Sequence, residues 1–243
     1  MNILFIMYDQ LRFDYLGCAG HPHLKTPNFD KVAAMGVRFT NAYVQSPICG
    51  ASRMSFYTGR YASSHGAQWN GYPLRVGEQT MGDHLRKLGM ACWLIGKTHM
   101  KADAEGMARL GLDPDSVIGA RVSECGFDVF ERDDGMRPDG PDGLYDAGGA
   151  LKYNDYLRGK GYQSDNPWHD IANSARDEDG NVPSGWFLEN SDLPANIREE
   201  DSETPYLTRR GIAFIEQADG PWLCHLSYIK PHWPYIVPEP YAS

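Results

Sequence analysis

Ile3-Leu4-Phe5-Ile6-Met7-Tyr8 is an unbroken apolar and aromatic run that stops abruptly at Asp9-Gln10. Such a run predicts a strand buried on both faces, as in a parallel sheet. The same arrangement recurs twice. Ala91-Cys92-Trp93-Leu94-Ile95 runs into Gly96-Lys97-Thr98-His99, and Trp222 to Ile229 runs into Lys230-Pro231-His232. Helix signals lie between these strands. Thr26-Pro27 opens a helix that Gly36 closes, and a second helix begins near Cys49–Ser52 and ends at Gly59. Thr80 and Asp83 resemble a capping box for a helix running to Gly89, and Thr204-Pro205 opens one that runs to about Gln217. Val37 to Val44 reads as a further strand. This alternation predicts an α/β fold, a mostly parallel sheet with helices on both faces. Ligands of open α/β sheets bind beyond the carboxyl ends of the strands. If the three apolar strands are parallel neighbours, Asp9 and Gln10, Lys97 and His99, and Lys230 and His232 converge there.

The chain has 243 residues, a formal net charge of −9 and 42% hydrophobic residues, enough to bury the core of one large domain. Its acidic balance argues against nonspecific nucleic-acid or anionic-membrane partners, and no apolar run approaches the roughly 18 residues of a membrane span. The five cysteines, at 18, 49, 92, 125 and 224, form no CxxC pair. That pattern argues against a disulfide framework or a structural zinc and for a reducing compartment. The opening residues lack a basic start and a cleavage site, so a cytoplasmic location is expected. Residues 103–203 are rich in Gly, Asp, Pro and Asn and are read as a loop-rich insertion within a single domain spanning 1–243.

The stretch richest in chemistry is Cys49-Gly50-Ala51-Ser52-Arg53. On a helix starting near Cys49, residues 49 and 53 share a face. The helix N-terminus and the Arg53 fork would lower a thiol pKa or hold an oxyanion. A small buried cysteine beside a packed arginine fits the spacing equally well. A tyrosine-phosphatase-type loop is excluded, because it needs Arg six positions after the cysteine and position 55 is Ser. No phosphate-binding Walker sequence or dinucleotide fingerprint occurs.

Residues 49–53 resemble the sulfatase signature Cys-x-Pro-Ser-Arg, with Ala51 where Pro is commonest. Thr26-Pro27-Asn28, Thr58-Gly59-Arg60, Gly96-Lys97-x-His99, Lys230-Pro231-His232-x-Pro234-Tyr235 and the opening strand through Asp9-Gln10-x-Arg12 are also similar to sulfatases, in family order. The resemblance implies an alkaline-phosphatase-like fold and a metal-dependent hydrolase of sulfate monoesters. It implies that Cys49 is converted to formylglycine and that its hydrated aldehyde binds a divalent cation and attacks the ester. The cation expected is Ca²⁺, with Mn²⁺ or Mg²⁺ as alternatives. Carried over by motif, Asp9 and residue 49 are metal ligands, and Arg53 holds the aldehyde diol. Lys97 and His99 bind or protonate the ester, His232 contacts the anion or assists the leaving oxygen, and Gln10 and Asn70 contact substrate. Lys97 and His99, as two cations, lean towards sulfate. A single Asp9 followed by Gln10, where many sulfatases have two aspartates, occurs in choline-sulfatase-like and phosphonate-hydrolase-like relatives. A phosphonate monoester or phosphodiester hydrolase is therefore the alternative. The family is roughly double this length, and its second half carries an Asp-His metal pair that this chain lacks. The chain is thus expected to be an N-terminal part, incomplete at its C-terminal end, partnered by a small anionic ester and by the missing half. A non-catalytic fragment and a homo-oligomer both remain open.

Overall fold

The computed structural model describes residues 1–135 and 151–242. Four parallel strands form one sheet: β1 (Ile3–Tyr8), β2 (Ala91–Gly96), β3 (Asp128–Arg132) and β4 (Trp222–Tyr228). Their spatial order is β1-β4-β2-β3. β4 is therefore flanked by the other two apolar strands, with Tyr8 opposite Tyr228 and Gly96 opposite Ser227. That register brings the carboxyl ends of β1, β2 and β4 side by side.

All seven residues of β4 are buried, as a strand covered on both faces must be. Alternation divides its side chains between two cores. Trp222, Cys224, Leu226 and Tyr228 join Ile95 on one face, under α7 (Lys152–Gly159) and α8 (Glu203–Gln217), which contribute Leu157, Leu207 and Phe214. Leu223 joins Cys92 and Leu94 on the other face, against Met54 and Tyr57 of α2 (Cys49–Thr58). Each large apolar side chain buried this way contributes about 1.5–3 kcal/mol. Helices cover both faces, as the alternation predicted.

The helix signals translate into the expected bonds. α1 (Pro27–Met35) starts with proline and stops at Gly36. α2 stops at Gly59 in the left-handed conformation. After the single turn α3 (Ala62–His65), helix α4 (Met81–Arg86) carries a complete capping box between Thr80 and Asp83. Within residues 103–203, read as loops and short elements, 136–150 lie outside the described residues; the rest supply loops and the short elements α5 (Ala104–Leu110), α6 (Val117–Ser123), α7 and β3.

Two expectations are corrected. β1 is an edge strand among the described residues, not a strand buried on both faces, and Leu4 and Ile6 remain 43% and 42% exposed. Val37 to Val44 forms no strand. Its apolar residues are exposed, because no neighbour among the described residues pairs with its backbone, and an isolated strand is not stable.

One glycine fixes the geometry at the end of β2. Gly96 has φ +98, and a Cβ built there would lie 1.9 Å from the Ser227 carbonyl oxygen, which accepts the Lys97 amide at 3.0 Å. Gly96→Ala should therefore cost about 3 kcal/mol or more, read as a lower urea midpoint. An unchanged midpoint would show that the close approach of β2 to β4 at this point is not a constraint.

Candidate active site

Asp9, the first residue beyond β1, is 7% exposed and held by its own amide on the Tyr228 carbonyl at 3.1 Å. Its Oδ2 lies 2.7 Å from Lys97 Nζ and 3.3 Å from an Arg53 terminal nitrogen. Both cations are nearly buried, at 2% and 3% exposure. Burial alone would raise the Asp9 carboxyl, but Lys97 and Arg53 outweigh it and hold the group below the ordinary aspartate range.

Arg53 owes its fixed position to more than Asp9. Its other terminal nitrogen donates to the Lys97 carbonyl at 2.7 Å, to Ser227 Oγ at 2.8 Å and to the Tyr57 hydroxyl at 3.3 Å. The Tyr57 hydroxyl in turn lies 2.8 Å from His225 Nε2, and His225 Nδ1 lies 3.4 Å from the Phe5 carbonyl. A carbonyl only accepts, so Nδ1 carries the proton and Nε2 accepts from Tyr57. The direction of donation therefore runs Arg53, Tyr57, His225, Phe5. Sequence reading missed Tyr57, His225 and Ser227. The signals were the four-residue step from Arg53 to Tyr57 and two polar residues on one face of an otherwise apolar strand.

Cys49 opens α2, where Asn70 meets it. Asn70 Oδ1 accepts the Gly50 amide at 2.8 Å and lies 3.4 Å from Cys49 Sγ. A Cβ at position 50 would sit 2.7 Å from that oxygen, so this approach requires glycine. Asp9, Gln10, Cys49, Arg53, Asn70 and His232 line one open cleft of about 650 Å³. Ligand atoms of Asp9, Cys49 and His99 all lie within 4.8 Å of one another.

Gln10 and His99, each just beyond a strand, have φ of +62 and +56, a conformation that residues with a Cβ rarely adopt. The Gln10 amide donates to the Tyr235 hydroxyl at 2.9 Å, tying the β1 exit to the loop after β4. His232 Nδ1 donates to the Trp233 carbonyl at 2.9 Å, which leaves the lone pair of the neutral ring on Nε2. Lys230 does not converge with the others. Its ammonium donates instead to the Pro234 carbonyl at 2.8 Å and to Asn173 Oδ1 at 3.1 Å. Burial there lowers it to about 8.

The reading of His99 as a second cation also needs correction. Burial, reinforced by Lys97, pushes its imidazole down to about 4, so it is neutral near pH 7. Its Nδ1 is buried without a hydrogen-bond partner among the described residues.

This arrangement belongs to a recognisable family. The Sulfatase family profile matches residues 1–127, more than half of the chain. The chain belongs to the sulfatase family. It is 29% identical along its whole length to a multifunctional alkaline phosphatase superfamily protein, PehA, of Trinickia caryophylli, covering 44% of that protein. It is 28% identical over 99% of its length to an arylsulfatase of Clostridium perfringens, covering 45% of it. Among solved structures, the phosphonate monoester hydrolase of Silicibacter pomeroyi superposes with a TM-score of 0.76 at 29% identity. That likeness covers 100% of this chain and 44% of the hydrolase. The chain thus spans under half the length of these relatives.

The buried His225 makes a testable demand. Burial, with Arg53 nearby, lowers its pKa from 6.5 to about 3, so the fold holds it neutral. Below about pH 6.5 the unfolded chain takes up a proton that the folded chain refuses. The stability contributed by neutral His225 is therefore complete above pH 6.5 and lost as pH falls towards 3, by up to about 1.4 kcal/mol per pH unit. His99 acts in the same direction. Urea midpoints measured from pH 7 to pH 4 should fall, and His225→Gln should make the fall shallower by about one proton. Equal slopes would mean that His225 does not titrate this way.

Proposed function

We propose that this chain is the N-terminal part of a sulfatase-type hydrolase of small anionic esters, acting on sulfate monoesters through a formylglycine made from Cys49. One observation carries the reading. A buried carboxylate, Asp9, is matched by two buried cations, Lys97 and Arg53, and its oxygen lies within 4.8 Å of a ligand atom of Cys49, which opens α2. Two positive charges against one negative leave a net charge that an anionic ester can neutralise.

The donor atoms fit a hard divalent cation only in part. Asp9 offers a carboxylate oxygen, but a cysteine thiol is a soft ligand ill matched to Ca²⁺, Mn²⁺ or Mg²⁺. An oxygen at residue 49, as formylglycine provides, removes the mismatch. Hard cations take about six oxygens. We place the remaining ligands in the second half found in the longer relatives. When bound, the cation supplies Lewis-acid polarisation of the ester, and the hydrated aldehyde supplies the attacking oxygen and a way to expel the anion.

The chain's own residues do the rest. Arg53, fixed by Asp9, Ser227, Tyr57 and the Lys97 carbonyl, holds residue 49 against the cleft. Lys97 offers the positive charge for the ester oxygens. His99, neutral near pH 7, is suited to accept a proton from residue 49. His232, which lines the same cleft, serves the leaving oxygen in this reading, while Gln10 and Asn70, also in its lining, contact the substrate.

A second reading has its own support. The solved likenesses include phosphonate monoester hydrolases of Silicibacter pomeroyi and of Agrobacterium radiobacter, the latter with a TM-score of 0.74 at 26% identity. With His99 neutral, the argument from paired cations towards sulfate weakens, and cleavage of phosphonate monoesters or phosphodiesters on the same site is the alternative. A panel of aryl sulfate, phosphonate monoester and phosphodiester substrates, assayed on the full-length enzyme, decides between them by relative kcat/KM.

The nucleophile is tested directly. In protein made with a maturation enzyme, the Cys49 peptide should be lighter by about the mass of one water, and it should react with a hydrazine. Turnover should follow the modified fraction, and Cys49→Ala should lose nearly all of it. A fully active preparation whose residue 49 is wholly cysteine would overturn the formylglycine reading.

A further inference from the structure

His99 is held in an unfavourable left-handed backbone conformation, which costs about 1–2 kcal/mol for a residue with a side chain. Something must hold it there. Its amide donates to Asp134 Oδ1 at 3.2 Å. Asp134 lies two residues past β3, and its Oδ2 pairs with Arg132 at 2.5 Å. Arg132, the last residue of β3, forms an ion pair with Glu124 at 3.0 Å. The other oxygen of Glu124 accepts the Thr98 hydroxyl at 2.8 Å. Thr98 is the residue before His99, so the path closes on itself.

From these contacts we propose that Asp134 is a positioning residue for His99, part of a closed ring Thr98–Glu124–Arg132–Asp134–His99 that fixes the backbone turn presenting the imidazole to Asp9 and residue 49. The proposal rests on the reading of His99 as serving the reaction.

Three observations favour a positioning role over simple bracing of the sheet. First, the ring grips the two residues that carry the chain out of β2 and into the site, not the strand itself. The pairing of β2 with β3 already has its own backbone bonds, ending with the Asp133 amide on the Gly96 carbonyl at 3.1 Å. Second, that same register, with Gly96 opposite Arg132, sets Asp134 beside His99. Third, Glu124 is fully buried and Arg132 is 8% exposed, so the ring is shielded from water and its charges are weakly screened. Asp134 is not among the residues lining the cleft. Its charge also acts on Lys97 and Arg53, so Asp134→Asn, which removes the charge and keeps an oxygen for the His99 amide, separates positioning from electrostatics.

The test uses the full-length enzyme and four variants: Asp134→Ala, Asp134→Asn, His99→Ala and the double variant Asp134→Ala/His99→Ala. Asparagine keeps an oxygen for the His99 amide, whereas alanine does not. Asp134→Ala should lower kcat about 10- to 100-fold with KM changed less than about twofold, and Asp134→Asn should recover part of the loss. In the His99→Ala background, adding Asp134→Ala should cost less than about a further twofold, because the two residues act as one unit. Hydrogen exchange gives a readout independent of turnover. The His99 amide should exchange about 10-fold faster in Asp134→Ala, and the β2 amides should not.

Multiplicative losses in the double variant, with His99→Ala itself impaired, would overturn the proposal alone. His99→Ala at wild-type kcat would overturn the reading of His99 and the positioning role with it. An unchanged His99 exchange rate would refute the ring whatever the kinetics. If Asp134→Ala does not fold, Asp134→Asn and Thr98→Val, which opens the ring from its far side, carry the same comparison. Thr98→Val at full kcat and unchanged His99 exchange would count against the ring.

Discussion

The ion cluster of Asp9, Arg53 and Lys97 is the constraint on which the rest depends. Each member comes from a different element: the end of β1, the second turn of α2 and the end of β2. None is more than 7% exposed, so each charge has given up most of its water. Removing one partner of a buried pair leaves a charge uncompensated, which typically costs 3–5 kcal/mol. The strand order β1-β4-β2, the packing of α2 on the sheet and the Ser227 hydroxyl under Arg53 must all be correct for the cluster to form. Fold and site are therefore one energetic problem here.

Much of this could be read from the residues. An apolar run that ends abruptly in a charge is a strong local signal, and it placed Asp9, Lys97 and His99 at one end of a parallel sheet. The helix expected to begin near Cys49–Ser52 and end at Gly59 is α2, and it puts Cys49 and Arg53 one turn apart. The misreadings share a cause, because each needed knowledge of a neighbour. The exposure of Leu4 and Ile6 depends on what lies beyond β1, and periodicity cannot show that. Val37 to Val44 has the composition of a strand but no strand beside it. Lys230 follows β4 as expected, yet Asn173, far away in sequence, draws its ammonium aside. The charge of His99 is set by burial and by Lys97, and a sequence shows neither. Asp134 was invisible for the same reason, since its importance lies in what it touches, whereas His225 and Ser227 left a trace as polar residues on one face of an apolar strand.

Strain is concentrated at the same edge. Gln10 lies two residues past β1 and His99 three past β2, and both adopt positive φ. Tyr235 restrains the side chain of Gln10, while Asp134 restrains the backbone of His99. A relaxed chain would leave each strand in a direction fixed by its pleat. These two turns instead redirect it at the ends of β1 and β2, the two strands that flank β4.

The pairing of β1 with β4 also sets an order of events. Ile3 lies opposite Leu223, so β1 pairs with a segment some 220 residues further along the chain. Contacts this distant in sequence form slowly, because a long loop must be closed before any ladder bond rewards the closure. β2 likewise lies beside β4, so neither strand finds its central neighbour until residues 222–228 have emerged. Until then Asp9 has no fixed place relative to Arg53 and Lys97, and the cluster closes only once β4 is in place. The nascent chain thus carries these three charges apart, in water, until the β4 segment joins the sheet.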